Sequence, residues 1–328
     1  MIRTAITDMF GIEAPIVMGG MTGVGYAPLV AAVANAGGLG FITAHHSRTA
    51  DDLADEIGRC RAITDRPFGV NLTLLPSFDP IPYDEYCRAI VDCDVRIVET
   101  AGRSPADYLP FLKANGVKVI HKCTSVRHAV TAEKLGVDVV SIDGFECAGH
   151  PGEDDVGLIV LLPATVDAVR VPVIASGGMA DGRGLAAALA LGAEGVNMGT
   201  RFMATKESGI HENIKRHIVS STERDTMLIN RTLHNTSRVA RNAVSQKVVE
   251  IQRNRDLGID AVRDLVSGAR ARAEVIAGGN VDGGAWAVGQ SQGLIQDIPD
   301  CNSLVDTIVS QASKIMTSAA DRIIRTAA

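Results

Sequence analysis

A segment near the middle of the chain combines residue types that can do chemistry. It reads SIDGFECAGHPGEDD over residues 141–155 and holds a single histidine, His150, among glycines and acidic residues. Glycine permits tight backbone paths, and an imidazole can gain and lose a proton near neutral pH. A hydrophobic core has no need of this mixture. The segment therefore predicts a functional loop in which His150 acts as an acid or base or binds an anion.

Two other interpretations of His150 stay open at this point. The side chain could be a loop histidine that only hydrogen-bonds to its acidic neighbours, or it could bind a metal ion together with Cys147, Glu153 and Asp154. Protein zinc sites usually draw on a second histidine or on paired cysteines, and the cysteines of this chain are scattered without a CxxC pair. We therefore expect reduced thiols and no metal site.

The elements that must position these residues alternate regularly. Short runs of β-branched and apolar residues recur about eight times between residues 15 and 198, separated by alanine-rich or amphipathic segments that end on glycine. Repeated strand–helix units build a parallel sheet with right-handed crossovers. Eight units favour an α/β fold of the (β/α)8 TIM barrel type. An open Rossmann-type sheet is the alternative, but the glycines of GGMTGVG after the first strand lack the GxGxxG spacing.

Two glycine turns follow the last two predicted strands. Ser176, Gly177 and Gly178 follow the seventh, and Gly199 and Thr200 follow the eighth. In TIM barrels phosphate commonly binds at these two loops, where glycine lets backbone N–H groups approach the oxygens and hydroxyls add donors. We expect a phosphate site here, with turns that serve only close packing as the alternative.

Lys122 follows a run of buried β-forming residues at the end of the fifth predicted strand. A lysine in such a run is almost never buried without a partner, so we expect it at the barrel mouth, where its ammonium would suit the edge of an anionic ligand, for example a reduced flavin. A structural ion pair with Asp143 is the alternative. His121, one residue earlier, should point to the opposite face of the strand.

Composition excludes several classes of protein. The chain has 328 residues, of which 46% are hydrophobic and 21% charged, and its formal net charge is -6. Its dispersed basic residues do not form the patch that nucleic-acid binding requires, and no segment approaches the ~20 apolar residues that span a bilayer. We expect a cytoplasmic enzyme for small molecules, without nucleic-acid or membrane partners, as a monomer or homodimer.

The character of the sequence changes after the eighth predicted strand. Residues 207–285 are polar, arginine-rich and helix-forming, without a convincing strand. We therefore predict a barrel formed by residues 1–206 and 286–328, with a helical insertion domain at 207–285. A proline-stiffened loop from Pro76 to Pro82 follows the third strand and is a candidate lid or substrate wall.

With these residues placed, the chain resembles the nitronate monooxygenase superfamily of FMN-dependent barrel enzymes, formerly called 2-nitropropane dioxygenases. The resemblance spans nearly the whole length. The segments that carry it are GGM at 19–21, ANAGGLG at 34–40, DRPFGVNLTLLP at 65–76, HKCTSVRHA at 121–129, SIDGFECAGHPGEDD at 141–155 and IASGGMADGRGLAAALALGAEGVNMGTRF at 174–202.

The resemblance implies FMN at the barrel mouth and a role for each matching residue. Those near the isoalloxazine and ribityl chain are Gly20, Met21, Asn71, Lys122 and Asp143, those along the cofactor are Ala148 and Gly149, and those around the phosphate are Ser176, Gly177, Gly178, Gly199 and Thr200. His150 takes the place of the family's catalytic histidine. It would serve as a base toward a nitroalkane or as a cationic partner for a nitronate.

The resemblance favours nitronate monooxygenase activity, in which flavin and O2 convert an alkyl nitronate to a carbonyl compound and nitrite. A related branch acts as NAD(P)H:quinone reductase, passing hydride from nicotinamide to FMN and two electrons to a quinone. The chain shares NLTLLP, HKCT and FECAGHPGED with that branch. It has Thr22-Gly23 where the branch tends to show Gln-Trp, and losing the aromatic residue should open or reshape the wall over the flavin.

Three further classes remain as alternatives. A flavin enoyl reductase would use an enoyl thioester as acceptor. A barrel of the inosine monophosphate dehydrogenase type needs a nucleophilic cysteine, for which Cys147 and Cys123 are the candidates. A binding module without catalysis would hold no flavin.

Overall fold

Eight parallel strands close into a barrel, which confirms the predicted (β/α)8 TIM barrel. The structure is a computed structural model that describes residues 2–74, 81–254 and 256–322, so most of the proposed lid at Pro76–Pro82 lies outside the described residues. The strands are β1 Ile16–Met18, β2 Leu39–Thr43, β3 Gly69–Leu74, β4 Ile97–Gly102, β5 Lys118–Cys123, β6 Val139–Asp143, β7 Val173–Ser176 and β8 Gly195–Asn197. They pair in chain order, and β1 closes on β8 through Ile16 with Val196 and Val17 with Asn197.

Helices follow the strands and form the outer layer. They are α1 Ala5–Phe10, α2 Ala27–Asn35, α3 Ala50–Arg61, α4 Tyr83–Asp92, α5 Leu109–Ala114, α6 Val126–Leu135, α7 Leu158–Ala168, α8 Gly182–Ala190, α9 Thr200–Met203, α10 Glu212–Ser220, α11 Ala243–Ile251, α12 Gly268–Arg270 and α13 Cys301–Asp321. A π-helical segment, Ala271–Ala277, continues α12. Among the helices of the described ranges, none has the length and apolar character to cross a membrane.

Local signals in the sequence explain where the helices begin and end. Asp181 caps α8 by accepting hydrogen bonds from the backbone N–H groups of Arg183 and Gly184. Gly136 ends α6 in the left-handed conformation, with φ 97°, as the glycine after that helix predicted. These caps fix the lengths of the outer helices and leave the strand ends free to carry the site.

A compact apolar cluster fills the amino-terminal end of the barrel. Its buried members are Ile6, Phe10, Ile12, Val17, Leu39, Phe41, Ile97, Ile120, Val139 and Ile174, so α1 covers this end. Gly69 makes room for the ring of Phe41, because a Cβ on Gly69 would lie 2.3 Å from Phe41 Cε1. Polar side chains therefore gather at the opposite end, where the strands finish.

The insertion between β8 and α13 contains a strand pair that the prediction of a purely helical segment missed. Strands β9, Thr226–Ile229, and β10, Ser237–Ala240, form an antiparallel pair outside the barrel. A small separate core of Ile229, Val239, Val244, Val248 and Val262 supports them. Each strand is only four residues long and depends on this packing, so neither gives a clear alternating pattern in the sequence. The domain boundaries at 206 and 286 stay a prediction.

Acid should destabilise the fold through His121. Its imidazole is buried, with Nδ1 2.8 Å from Thr100 Oγ1, and burial lowers the pKa of His121 to about 4. The unfolded chain takes up this proton near pH ~6.5, so the free energy of unfolding should fall by about 3 kcal/mol as pH drops from ~6.5 to below ~4. Denaturant titrations across this range should show a weaker pH dependence for His121→Gln.

The exposed His234, which is not among the groups that shift the pKa of His121, supplies the control for this prediction. A His234→Asn variant should keep the acid sensitivity of the wild-type protein. Equal acid sensitivity in His121→Gln and wild type would show that His121 does not carry the effect.

Candidate active site

The topology of the barrel brings the predicted site residues to the end of the fold where the strands finish. They come from β1, β3, β5, β6, β7 and β8 or from the loops that follow them. These residues are Gly20, Met21, Asn71, Lys122, Asp143, Ala148, Gly149, His150, Ser176, Gly177, Gly178, Gly199 and Thr200. The topology alone would place them on one face, and their individual contacts determine which of them form a site.

Glu99 of β4 contacts residues from several other strands at this end of the barrel. Its carboxylate is fully buried, and Oε1 accepts hydrogen bonds from the backbone N–H of Gly20 at 2.9 Å and from Asn71 Nδ2 at 2.8 Å. Oε2 accepts a hydrogen bond from Asn197 Nδ2 at 3.3 Å. Lys122 Nζ lies 3.7 Å from Oε1. Three predicted residues thus meet on one buried carboxylate.

The charge on the Lys122 ammonium is stabilised by two acidic side chains. Burial by itself would lower the pKa of Lys122, but Glu99 and Asp143 oppose it, and the pKa lies above its ordinary value. Glu99 is the ion-pair partner in the structure, and Asp143, the partner considered from the sequence, acts on Lys122 electrostatically. Lys122 therefore remains charged at neutral pH and can stabilise negative charge at the mouth.

Asp143 carries a carboxylate oxygen that the protein leaves unsatisfied. Burial raises the pKa of Asp143, while Lys122 and a hydrogen bond with Ser176 act in the opposite direction. Its Oδ1 is buried and has no hydrogen-bond partner in the described part of the chain. A buried acceptor without a donor costs free energy, so this oxygen is suited to accept a hydrogen bond from a ligand hydroxyl.

The turn after β7 depends on glycine. Gly177 and Gly178 adopt φ values of 94° and 71°, in the left-handed region. A Cβ on Gly177 would lie 3.1 Å from both the backbone N of Cys147 and the carbonyl O of Gly144. The turn therefore needs both the conformational freedom and the small size of glycine, and it places the loop after β6 against the loop after β7.

The turn after β8 meets two other predicted residues. A Cβ on Gly199 would lie 3.3 Å from Met21 Sδ, so Met21 lies beside this turn. The Thr200 hydroxyl accepts a hydrogen bond from the backbone N–H of Gly289 at 3.0 Å. Gly289 also approaches Ala148, because a Cβ on it would lie 3.3 Å from the Ala148 backbone N. Met21 thus lies beside Gly199, and Ala148 and Thr200 both lie beside Gly289.

The loop that carries His150 is joined to β10 of the insertion. Gly149 donates its backbone N–H to the Arg238 carbonyl at 3.1 Å, and the Arg238 N–H donates to the Gly149 carbonyl at 2.6 Å. The Arg238 guanidinium donates to the Phe145 carbonyl at 2.8 Å and lies over the Phe145 ring. The insertion therefore fixes the residue immediately before His150.

Acidic residues of the same loop bind the insertion as well. Glu153 accepts a hydrogen bond from the Thr236 backbone N–H at 2.8 Å, and Asp155 forms an ion pair with Arg231 at 2.6 Å. The metal site considered from the sequence would have used Glu153, which is instead engaged with Thr236. In the described ranges, histidine, cysteine and acidic side chains form no cluster of three or more that could hold a metal ion.

His150 itself is exposed at the end of this fixed loop. The protein around the ring lowers the pKa of His150, and the nearby Glu153 only partly opposes this effect. The imidazole is therefore uncharged at neutral pH and able to accept a proton. Of the two roles predicted for His150, the lowered pKa favours the base over the cationic partner of an anion.

The two cysteines considered as nucleophiles are poorly suited to that role. Cys123 and Cys147 are buried. Burial raises the pKa of Cys123 to about 12 and the pKa of Cys147 well above its ordinary value. A thiol that stays protonated is a weak nucleophile, so the structure argues against a barrel of the inosine monophosphate dehydrogenase type.

The wall of the mouth beside β1 is formed by Gly23 and by side chains of the insertion. Gly23 has φ 86°, and a Cβ on it would lie 3.3 Å from Arg272 Cγ and 3.7 Å from Ile276 Cγ1. Both neighbours belong to the π-helical segment of the insertion. The insertion thus reaches the chain at Gly23, and the reshaping of the wall over the flavin stays a prediction.

Two site residues were missed from the sequence. Glu99 stands within the buried run of β4, and Asn197 ends β8, where its Oδ1 accepts from the Gly19 N–H at 2.9 Å. The signal that could have found them is a charged or amide side chain inside an otherwise apolar strand, because such a residue needs partners when buried.

Known proteins match the chain over almost its full length. A family model described as nitronate monooxygenase matches residues 3–311. The (3aS,4S,5R,7aS)-5-hydroxy-7a-methyl-1-oxo-octahydro-1H-indene-4-carboxyl-CoA dehydrogenase of Rhodococcus jostii is 36% identical over 95% of this chain and 96% of its own. A probable nitronate monooxygenase of Staphylococcus aureus is 32% identical over 96% of this chain and 98% of its own.

Solved structures extend the comparison. FabK from Thermotoga maritima is 38% identical, with a TM-score of 0.91, over 98% of this chain and 100% of that one. A nitroalkane oxidase from Streptomyces ansochromogenes is 29% identical, with a TM-score of 0.82, over 96% and 100%. With the barrel and the site residues in place, these matches show that the chain is an oxidoreductase that belongs to the nitronate monooxygenase family.

Proposed function

We propose that this chain is an FMN-dependent oxidoreductase that exchanges a hydride and a proton with an acyl thioester. The observation that carries the proposal is an uncharged, exposed imidazole, His150, on a fixed loop at the mouth of a barrel with a charged lysine. A proton acceptor and a cation at the same barrel mouth suit a reaction that removes a proton from carbon and develops negative charge.

The residues at the mouth fit FMN in their chemistry. The unsatisfied Oδ1 of Asp143 suits a ribityl hydroxyl, and Lys122 suits the edge of the isoalloxazine on which negative charge develops. The residues that would hold the cofactor are Gly20, Met21, Asn71, Lys122, Asp143, Ala148, Gly149, Ser176, Gly177, Gly178, Gly199 and Thr200.

FMN, when bound, supplies a centre that accepts or donates a hydride. On an acyl thioester the balanced change is loss of a proton from the carbon next to the carbonyl and of a hydride from the next carbon, which forms a C=C bond. His150 accepts that proton, and it returns the proton when the reaction runs toward reduction. The contacts of Gly149 with Arg238 hold His150 in place for this transfer.

The substrate class is supported by the relatives and by the wall at Gly23. The Rhodococcus jostii relative is named for a carboxyl-CoA substrate, which is an acyl thioester. Position 23 carries no aromatic side chain, and the wall there is formed with Arg272 and Ile276 of the insertion. An extended substrate would approach along this wall on the β1 side of the mouth.

Nitronate oxidation is the second candidate function. The relatives from Staphylococcus aureus are named as probable nitronate monooxygenases, and a neutral His150 can remove a proton from a nitroalkane as well as from a thioester. A nitroalkane, like the thioester, would begin with an acidic C–H bond, whereas a nitronate has already lost that proton and would not need His150 as a base. Substrate shape is what separates the two.

One anaerobic experiment distinguishes these functions. FMN-loaded protein is photoreduced, and crotonyl-CoA, benzoquinone or buffer is added while the flavin absorbance is followed. We expect crotonyl-CoA to restore the oxidised spectrum faster than buffer does. In a second arm, oxidised protein is mixed with propyl-2-nitronate. Reoxidation by benzoquinone alone, or bleaching by the nitronate without any response to crotonyl-CoA, would overturn the thioester assignment.

A His150→Ala variant should keep its FMN but lose turnover. Nothing in the barrel core depends on this exposed side chain, whereas removing a positioned acid or base lowers kcat/KM by about 100-fold or more. Bound FMN is measured by absorbance and turnover with crotonyl-CoA under NAD(P)H. The exposed His128→Ala variant serves as the matched control and should retain full activity. Loss of FMN from His150→Ala would mean that His150 is structural.

The pH profile supplies a further check on His150. Because its pKa lies below the ordinary value near ~6.5, the neutral base is present at pH ~7 and is lost only as pH falls below ~6.5. When the reaction runs in the direction in which His150 accepts a proton from the thioester, kcat/KM should therefore stay flat around neutrality and decline in acid. A rise in kcat/KM toward acid would instead indicate that the imidazolium is the active form.

A further inference from the structure

A second group of chemically active side chains lies at the barrel mouth, away from His150. We call it the rim cluster and define it as Tyr26, His45, His46 and Arg272. Tyr26 follows β1, His45 and His46 follow β2, and Arg272 belongs to the π-helical segment of the insertion. Neither the reaction proposed above nor the cofactor contacts use any of these four residues.

Arg272 is a charged side chain that the protein does not neutralise. It is exposed, and within residues 2–74, 81–254 and 256–322 it has no ion pair or hydrogen bond. Other arginines of the insertion are engaged, since Arg231 pairs with Asp155 and Arg270 donates to the Gly283 carbonyl. The stem of Arg272 lies against Gly23. Packing therefore places its guanidinium at the rim without an acidic partner.

His46 adds an unsatisfied donor to the cluster. Its Nε2 accepts the Gly23 backbone N–H at 2.5 Å, so the proton of the neutral ring is on Nδ1, and this atom is buried without a partner among the described residues. Burial and Arg272 lower the pKa of His46 to about 4, which keeps the ring neutral. Glu56 is the acidic side chain that opposes this lowering of the His46 pKa, and it is already bound to Arg59 and to the Ala27 N–H.

Tyr26 gives the cluster an aromatic surface. Its ring is stacked on His46, with centroids 4.0 Å apart and an interplanar angle of 21°, and the side chain is 40% exposed. An exposed aromatic ring next to a free guanidinium suits a ligand with a flat base and a phosphate. Aromatic side chains bind nucleobases by stacking, and arginine binds phosphate oxygens in a planar, bidentate manner.

The position of the cluster in the barrel indicates a long ligand. His150 follows β6, whereas the rim cluster follows β1 and β2, which lie three and four strands away in the closed order. A group bound at the rim and a carbon that reacts at His150 are therefore on opposite sides of the mouth. A compact ligand would reach only one of these places.

We propose that Tyr26, His46 and Arg272 bind the phosphorylated adenosine end of an extended ligand whose reactive end lies near His150. This inference rests on the function proposed above. Two molecules of the reaction carry that chemistry, because coenzyme A ends in adenosine 3′-phosphate and NADPH carries adenosine 2′-phosphate. Arg272 and the protonated Nδ1 of His46 offer donors, and Tyr26 offers a stacking surface, which fits both sources.

Calorimetric titration of the FMN-loaded protein tests the site directly. The probes are 3′,5′-ADP, 2′,5′-ADP and AMP. At least one of the two bisphosphates should bind more tightly than AMP, and Arg272→Ala should weaken that binding by about tenfold or more, because a charge-assisted contact is lost. Tyr26→Leu should weaken it as well through loss of stacking. Tighter binding of 3′,5′-ADP identifies coenzyme A as the source, and tighter binding of 2′,5′-ADP identifies NADPH.

The exposed Arg127 of α6 provides the matched control. Arg127→Ala should bind the bisphosphate like the wild type, and so should His150→Ala, because neither residue belongs to the rim cluster. The proposal is overturned if AMP and both bisphosphates bind equally or not at all, or if Arg127→Ala and Arg272→Ala lose the same affinity. Bisphosphate binding that persists without any flavin response to crotonyl-CoA would contradict only the thioester function.

Discussion

A carboxylate buried at the mouth of a barrel must be compensated by its neighbours, and the compensation of Glu99 organises this end of the molecule. The backbone N–H of Gly20, the amides of Asn71 and Asn197 and the ammonium of Lys122 all meet it. These partners come from β1, β3, β8 and β5. Because leaving such a charge unpaired is strongly unfavourable, four separate strand ends are held in one arrangement, and Lys122 stays charged beside the residues proposed to hold FMN.

The insertion contributes contacts to two sides of the barrel mouth. Backbone hydrogen bonds between Gly149 and Arg238 fix the loop of His150, and Arg272 reaches the wall at Gly23 on the other side of the mouth. Members of one family can keep the strand-end residues and change substrate through such segments, since specificity depends on the shape of loops more than on the fold. This division is consistent with relatives named for a carboxyl-CoA and for nitronates.

The sequence predicted the features that follow from periodicity and from contiguous motifs. Eight strand–helix repeats predicted the barrel, and the glycines at 177 and 178 adopt the left-handed backbone that tight turns require. It could not predict Glu99 as the common partner, because that depends on which strands become neighbours when the barrel closes. The β9 and β10 pair was missed because four-residue strands are stabilised by packing that no local pattern reports.

The coupling free energy between Glu99 and Lys122 measures how strongly the buried carboxylate depends on its ammonium partner. It is measured in FMN-free protein from the unfolding free energies of wild type, Glu99→Gln, Lys122→Met and the double variant, with the exposed Glu85→Gln as a control for losing a carboxylate. We predict that each single variant is destabilised. The double variant should lose less unfolding free energy than the two single variants lose together, with a coupling of about 1 kcal/mol or more. Effects that add to within about 0.3 kcal/mol would contradict it.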